Sequence, residues 1–159
     1  MTQQSSEMAN NKNIQAFLLT IRRSEGTDGP DGYYTMFGGR KFDSFTDHPK
    51  KYFTYTDLSG KTIITSAAGA YQIIYSVWTV LKTRLGLSDF SPESQDMAAT
   101  ELIAEAHALD SIIAGRLNEA IYKVRTIWAS LPGSNSHQPQ HALQEIEQWY
   151  LEAGGFLEK

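Results

Sequence analysis

The chain has 159 residues, of which 41% are hydrophobic and 11% aromatic, enough for one domain with one sizeable core and too few for two ordinary domains. Its 14 basic residues stand against 18 acidic ones for a formal charge of −4, so it offers no broad cationic surface to neutralise phosphates, and nucleic acid is not an expected partner. Cysteine is absent, which removes disulfide frameworks and thiolate zinc sites from consideration.

Residues 1–12, rich in Gln, Ser and Asn, read as a flexible tail with little to bury. From there to residue 159 the chain reads as a single domain. Ile14, Phe17, Leu18 and Ile21 follow the i, i+3, i+4, i+7 pattern of an amphipathic helix, and Gly26 suits its end. Glu25 falls eleven residues after Ile14, which returns it to within roughly 20° of the same face. A carboxylate is therefore expected to point inward where the helix stops. The apolar run from Ala16 to Leu19 is far shorter than a signal-peptide core or a membrane span. It predicts no stable membrane association and no export by the chain's own means.

Between Thr27 and Thr65 the helical period gives way to Gly, Asp, Tyr and Thr. Tyr52, Thr54 and Thr56 alternate with Phe53 and Tyr55, and "DLSG" separates them from "KTIIT", which predicts a small antiparallel hairpin flanked by long loops. A second helix is expected from near Ala70, with Tyr71, Ile74, Tyr75, Trp78 and Leu81 on one face and Gly86 after its end. "SPES" predicts a helix capped by Ser91, with Pro92 in its first position, running to about Ala108. Another should span about Leu117 to Ser130 before Pro132 and Gly133, and a last one about His141 to Glu152. The class is α+β: a mostly helical body with a small antiparallel β region inserted after the first helix.

Glu25 is the sharpest chemical candidate. Loss of hydration on an apolar face raises a carboxyl's pKa towards values that suit a general acid. The structural alternative is a helix-end glutamate capped by the glycine-rich loop or paired with Arg22 or Arg23. Glycoside cleavage commonly uses a second carboxyl, and Asp28, Asp31, Asp43, Asp47 and Asp57 are available, but no spacing selects one. His48, His107, His137 and His141 lack metal-ligand spacing, so no metal or other cofactor is expected. Tyr33, Tyr34, Phe37, Phe42, Phe45, Tyr52, Phe53 and Tyr55 crowd the β region, either lining a groove suited to sugar faces or closing a small core beneath the hairpin. Trp78 and Trp128 are assigned to the main core.

The blocks "SEGTDG", "GYYTMFGG", "FTDHP", "SAAGAYQI", "LGLSDFSPESQD" and "IWASLPG" occur in the order seen in lambda-type phage endolysins, and the chain resembles that family from about Ala16 to Gly155. The resemblance implies a lysozyme-like fold and a lytic transglycosylase. Such an enzyme cuts the β-1,4 bond between N-acetylmuramic acid and N-acetylglucosamine in peptidoglycan and leaves a 1,6-anhydromuramic end. It also implies that Glu25 is the catalytic acid and base, and that Tyr71 and Gln72, the family's "YQ", lie beside the cleft as substrate-binding residues that orient sugar or glutamate through hydrogen bonds. Gln138 and Tyr33 are taken as further substrate contacts. The hairpin around residues 50 to 60 and the loop around 130 to 141 would form two lips over the glycan strand.

The family's arginine in "GRYQ" is replaced here by Ala70, and the second lip has Ser136 where the family commonly has tyrosine. The implied setting is host lysis: accumulation in the host cytoplasm, access to the wall through a holin, and action as a monomer, since no long apolar stripe is left over. Alternatives are a hydrolytic muramidase using Asp28, Asp31 or Asp43, a virion-associated wall-degrading enzyme, or a non-catalytic glycan-binding module.

Overall fold

The protein was analysed as a computed structural model, which describes residues 10–134 and 139–158. The first helix, α1, spans Lys12–Glu25. Its Asn11 side chain accepts hydrogen bonds from the amides of Asn13 and Ile14 at 2.9 and 3.2 Å. This cap starts the helix inside the stretch expected to be a flexible tail, because it satisfies amides that would otherwise face the first turn unpaired. Gly26 ends it in the left-handed conformation at φ 74°, where a side chain would be strained.

Two short 3₁₀ turns, Gly32–Tyr34 and Phe37–Gly39, lead to the hairpin of β1 (Phe53–Thr56) and β2 (Thr62–Thr65). The strands pair antiparallel from Phe53 opposite Thr65 to Thr56 opposite Thr62, as the alternation predicts. At the tip, Asp57 accepts from the amides of Ser59 and Lys61 at 2.9 and 3.0 Å, the local carboxylate capping that makes Asp a turn residue. The aromatics divide between the two expected roles. Tyr34 stacks on Phe45 at 4.0 Å, and Phe42 meets Phe90, which also meets Trp78 at 4.7 Å, so these rings build a small core continuous with the main one. Tyr52 remains 57% exposed.

The second helix, α2, is Tyr75–Leu85, five residues later than the apolar pattern predicts. The preceding turn is held by groups from elsewhere instead of by a helical ladder. Ala68 and Ile73 form an isolated bridge, Gln95 Oε1 accepts the Ala70 amide at 2.8 Å, and His48 Nε2 bonds the Ile73 carbonyl at 2.8 Å. Ser66 Oγ then accepts the Tyr75 amide at 2.8 Å and serves as a cap from outside the helix. Gly69 sits at φ 81° with Gln95 Oε1 2.3 Å from where a Cβ would stand, so the turn closes only around glycine.

Helix α3 is Pro92–Glu105 with Ser91 as cap, stopping short of Ala108 because His107 turns to positive φ. A short α4, Leu109–Ile113, follows without a distinct pattern in the sequence. Helix α5 is Leu117–Val124, six residues shorter than expected; the following turns drive Trp128 and Leu131 into the interior, 2% and 0% exposed. Helix α6 is Leu143–Glu152. Its C-terminal extension returns to α1, where the Phe156 amide donates to Asn13 Oδ1 at 2.9 Å. Ile14, Phe17, Ile21, Trp78, Ile103, Trp128, Ile146 and Tyr150 all belong to one buried cluster.

His48 is locked as one neutral tautomer. Its Nδ1 accepts from the Lys50 amide at 3.0 Å while Nε2 faces the Ile73 carbonyl, so a second ring proton has no acceptor. Burial lowers its pKa below the ordinary 6.5. A lowered histidine pKa means that the unfolded chain binds more protons, so its contribution to stability is complete above about 6.5 and declines as pH falls below it. Denaturant unfolding over an acid pH series should show this decline, and His48→Asn should flatten it; equal pH dependence in the two proteins would refute the assignment.

Candidate active site

Glu25 closes α1, and the segments around it are brought in by its neighbours. Ser24 lies within hydrogen-bond distance of Ser130, Oγ to Oγ 2.6 Å, and its carbonyl meets His141 Nε2 at 3.0 Å. On the other side, Thr27 Oγ1 donates to the Ala70 carbonyl at 2.5 Å. The glycine-rich loop packs so closely that a Cβ on Gly32 would stand 1.7 Å from the Thr27 carbonyl oxygen. The end of the first helix is thus clamped between the turn that follows β2 and the start and finish of the 130–141 segment.

Glu25 is half-buried, and among the described residues its carboxyl has no hydrogen bond or ion pair. Burial alone raises its pKa from 4.5 to about 7, since the charged form loses hydration without gaining a partner. Both arginines that might have paired with it are directed elsewhere. Arg23 bonds Glu152 Oε2 at 2.7 Å and lies over the Trp149 ring. Arg22 donates to the Tyr71 hydroxyl at 2.7 Å. Among the described residues, neither arginine of the structural alternative pairs with Glu25.

Tyr71 is 1% exposed and tied to three other segments. Its hydroxyl donates to Asp96 Oδ1 at 2.5 Å, Tyr33 donates to the same oxygen at 2.8 Å, and the two rings meet edge to face. Burial, with the Asp96 charge adding to it, pushes the Tyr71 phenol well above its ordinary 10. Trp128 Nε1 donates to the Tyr71 carbonyl at 2.9 Å, pinning its backbone as well. Gln72 takes φ 50° and donates to the carbonyls of Thr35 and Gly69 at 3.0 and 2.8 Å, so its amide braces the turn. Tyr33 is half-buried and lines a groove of about 640 Å³ together with Arg22, Asp96, Leu18, Leu19 and Met97. That groove runs along α1 and is not lined by Glu25.

Gln138 and Ser136 lie outside the described residues. Asp28, Asp31 and Asp43 are all exposed, Asp28 lying 3.9 Å from Arg23, and none shares the sequestered setting of Glu25. Among the described residues no three His, Asp or Glu side chains gather as a metal site. The sequence alone singled out neither Arg22 as a partner of Tyr71 nor Asp96, Gln95, Ser24 and Ser130. These contacts join positions from 25 to 106 residues apart, and no periodic pattern carries them.

A mostly helical body with a two-stranded antiparallel hairpin inserted after the first helix, and a half-buried glutamate at that helix's end, make up a lysozyme-like arrangement. The endolysin family model matches residues 15–157. The chain is 38% identical over 151 residues to the endolysin of Escherichia phage lambda, covering 91% of this chain and 93% of that one. It is 39% identical over 155 residues to the endolysin of Escherichia phage P2, covering 91% and 94%. Among solved structures, bacteriophage lambda lysozyme complexed with a chitohexasaccharide superposes with a TM-score of 0.86 at 38% identity, covering 93% of this chain and 97% of that one. The chain belongs to the endolysin family, with the lambda lysozyme fold of phage enzymes that lyse the bacterial cell wall.

An acid whose folded pKa is raised stabilises the protein fully below its unfolded value of 4.5 and loses that contribution as pH rises through about 7. Above pH 7 the ionised Glu25 is therefore a cost, on the order of 3 kcal/mol. Glu25→Gln should be the more stable protein by that amount near pH 8, with the difference vanishing towards pH 4.5. Denaturant unfolding at the two pH values measures it, and a variant no more stable than the parent at pH 8 would contradict the desolvated acid.

Proposed function

We propose that this endolysin cleaves the β-1,4 bond between N-acetylmuramic acid and N-acetylglucosamine in peptidoglycan by lytic transglycosylation. The observation that carries the reading is the solitary Glu25: among the described residues, no second carboxyl beside it is sequestered to activate a water. Its pKa of about 7 fits a group that must both give and take a proton near neutrality.

In the proposed mechanism Glu25, protonated, donates to the glycosidic oxygen as the bond to the muramyl anomeric carbon breaks. The leaving sugar departs with a new hydroxyl. The resulting carboxylate then takes the proton of the muramyl C6 hydroxyl as that oxygen closes on the anomeric carbon, giving the 1,6-anhydro ring and restoring the neutral acid. No water is consumed, and the internal nucleophile supplies the proximity that a water-using enzyme has to build with a second carboxylate.

Tyr33 and Gln138 are assigned to contact the glycan. Tyr71 and Gln72 hold the cleft wall from behind, a role their buried or braced hydrogen bonds favour over direct contact. The chitohexasaccharide bound by lambda lysozyme supports a glycan strand as substrate. Residues 13–159 would act as one catalytic domain and as a monomer, held in the host cytoplasm until a holin opens the way to the wall. Among the described residues no helix is long and apolar enough to cross a membrane.

Mass spectrometry of muropeptides released from purified peptidoglycan tests this directly. The expected products end in 1,6-anhydromuramic acid. Their release should fall by about 10² to 10⁴ in Glu25→Gln, with circular dichroism unchanged. Reducing muramic ends would replace the reading with a hydrolytic muramidase, and full activity in the variant would remove Glu25 from the mechanism.

A further inference from the structure

We propose that Asp96 is a positioning residue that keeps the Arg22 guanidinium away from Glu25 and so preserves the proton that Glu25 must donate. The inference rests on reading Glu25 as the acid, and its first readout does not require activity.

Arg22 and Glu25 are three residues apart on α1. Side chains at that spacing are neighbours, about 5–6 Å between Cβ atoms, and an Arg–Glu pair there normally attracts. An arginine beside Glu25 would hold the carboxylate ionised and spoil it as a donor near neutrality. The chain avoids this by giving Arg22 a better place. Its guanidinium lies over two tyrosine rings, 5.6 Å from the centroid of Tyr33 and 5.8 Å from that of Tyr71. Its Nη1 donates to the Tyr71 hydroxyl, which in turn donates a hydrogen bond to Asp96 Oδ1, the atom that Tyr33 also donates to. Asp96 is thus the counter-charge of Arg22 at one hydroxyl's remove, and it orients both phenols so that the Tyr71 oxygen presents a lone pair to the guanidinium. Tyr71 cannot follow Arg22 outward, because Trp128 holds its carbonyl and its ring is buried.

The other charged groups around Glu25 are committed too. Arg23 is paired with Glu152 and Asp28. His141, from the 130–141 segment, bonds the Ser24 carbonyl and Glu145. The turn between residues 66 and 72 contains no charged residue, and Asp28 and Asp31 on the glycine-rich loop face solvent. Among the described residues, Arg22 is therefore the cation whose release would change Glu25 most, and the Asp96 carboxylate is what retains it.

The test is an NMR titration of the Glu25 side-chain carboxyl in the parent, Asp96→Asn, Arg22→Gln and the double variant, with the pH dependence of kcat/KM measured alongside. In Asp96→Asn the Glu25 pKa should fall by about 1–3 pH units, the effect of an opposite charge at close range, and the alkaline limb of kcat/KM should move with it. Arg22→Gln alone should leave the titration near that of the parent. The double variant should return it there, since no guanidinium remains to be released; a general loss of packing would not be undone by a second substitution. An unchanged Glu25 titration in Asp96→Asn, or a double variant that stays shifted, overturns the proposal. Should Asp96→Asn fail to fold, Tyr71→Phe cuts the same link, and a Glu25 titration unmoved in that variant overturns it equally. Reducing muropeptide ends together with a shifted titration would refute the transglycosylase reading while leaving the positioning role intact.

Discussion

The constraint on which this structure turns is that one carboxyl, Glu25, is kept partly out of water with no hydrogen bond or ion pair from the described residues. Desolvation unopposed by a charge or hydrogen bond is costly. The surroundings are correspondingly over-determined. Thr27 ties the loop to Ala70, Ser24 meets Ser130, and Trp128 and Gln95 hold the two sides of the Tyr71 turn. Each joins segments distant in sequence, so the site exists only once the whole core has formed. Such a cost at a functional group, offset by packing elsewhere, is the usual bargain of stability against activity.

The pattern of cations follows from the same requirement. Two arginines precede Glu25 within one helical turn, where they also face the partial negative charge of the helix C-terminus, yet neither side chain pairs with it. The resemblance to lambda-type endolysins leads one to expect an arginine at position 70, where this chain has a fully buried alanine. A guanidinium nevertheless stands against Tyr71, supplied by Arg22 from the facing helix. Charge near the "YQ" turn is thus present, and it enters from a different element.

What was legible in the sequence is what local periodicity encodes. The apolar stripe of α1, the inward placement of Glu25 and the alternation of the hairpin follow from residues within one element of each other, and the structure has them. The turn before α2 defeated the same reasoning, because Tyr71 and Ile74 keep a helical spacing while Gln95, His48 and Ser66 capture the backbone groups that a helix would have used. The early end of α5 has a similar cause: Trp128 is drawn inward to the Tyr71 carbonyl, a tertiary demand that outweighs helix propensity. The Arg22–Tyr71–Asp96–Tyr33 chain was invisible because its members come from α1, two separate loops and α3, and each alone looks like an ordinary surface or core residue.

The return of the C-terminal extension to α1 has a mechanical meaning. Phe156 donates to the same Asn13 side chain that reaches the carbonyl of Ile112, and the Glu158 amide seals onto Gly115. The first turn of α1 is therefore stapled by the last residues of the chain, while its final turn carries Glu25, about 20 Å away along a rigid rod. A trimming protease that removed the last few residues would cut no part of the cleft. It would instead remove the brace on the first turn of the helix that ends at Glu25.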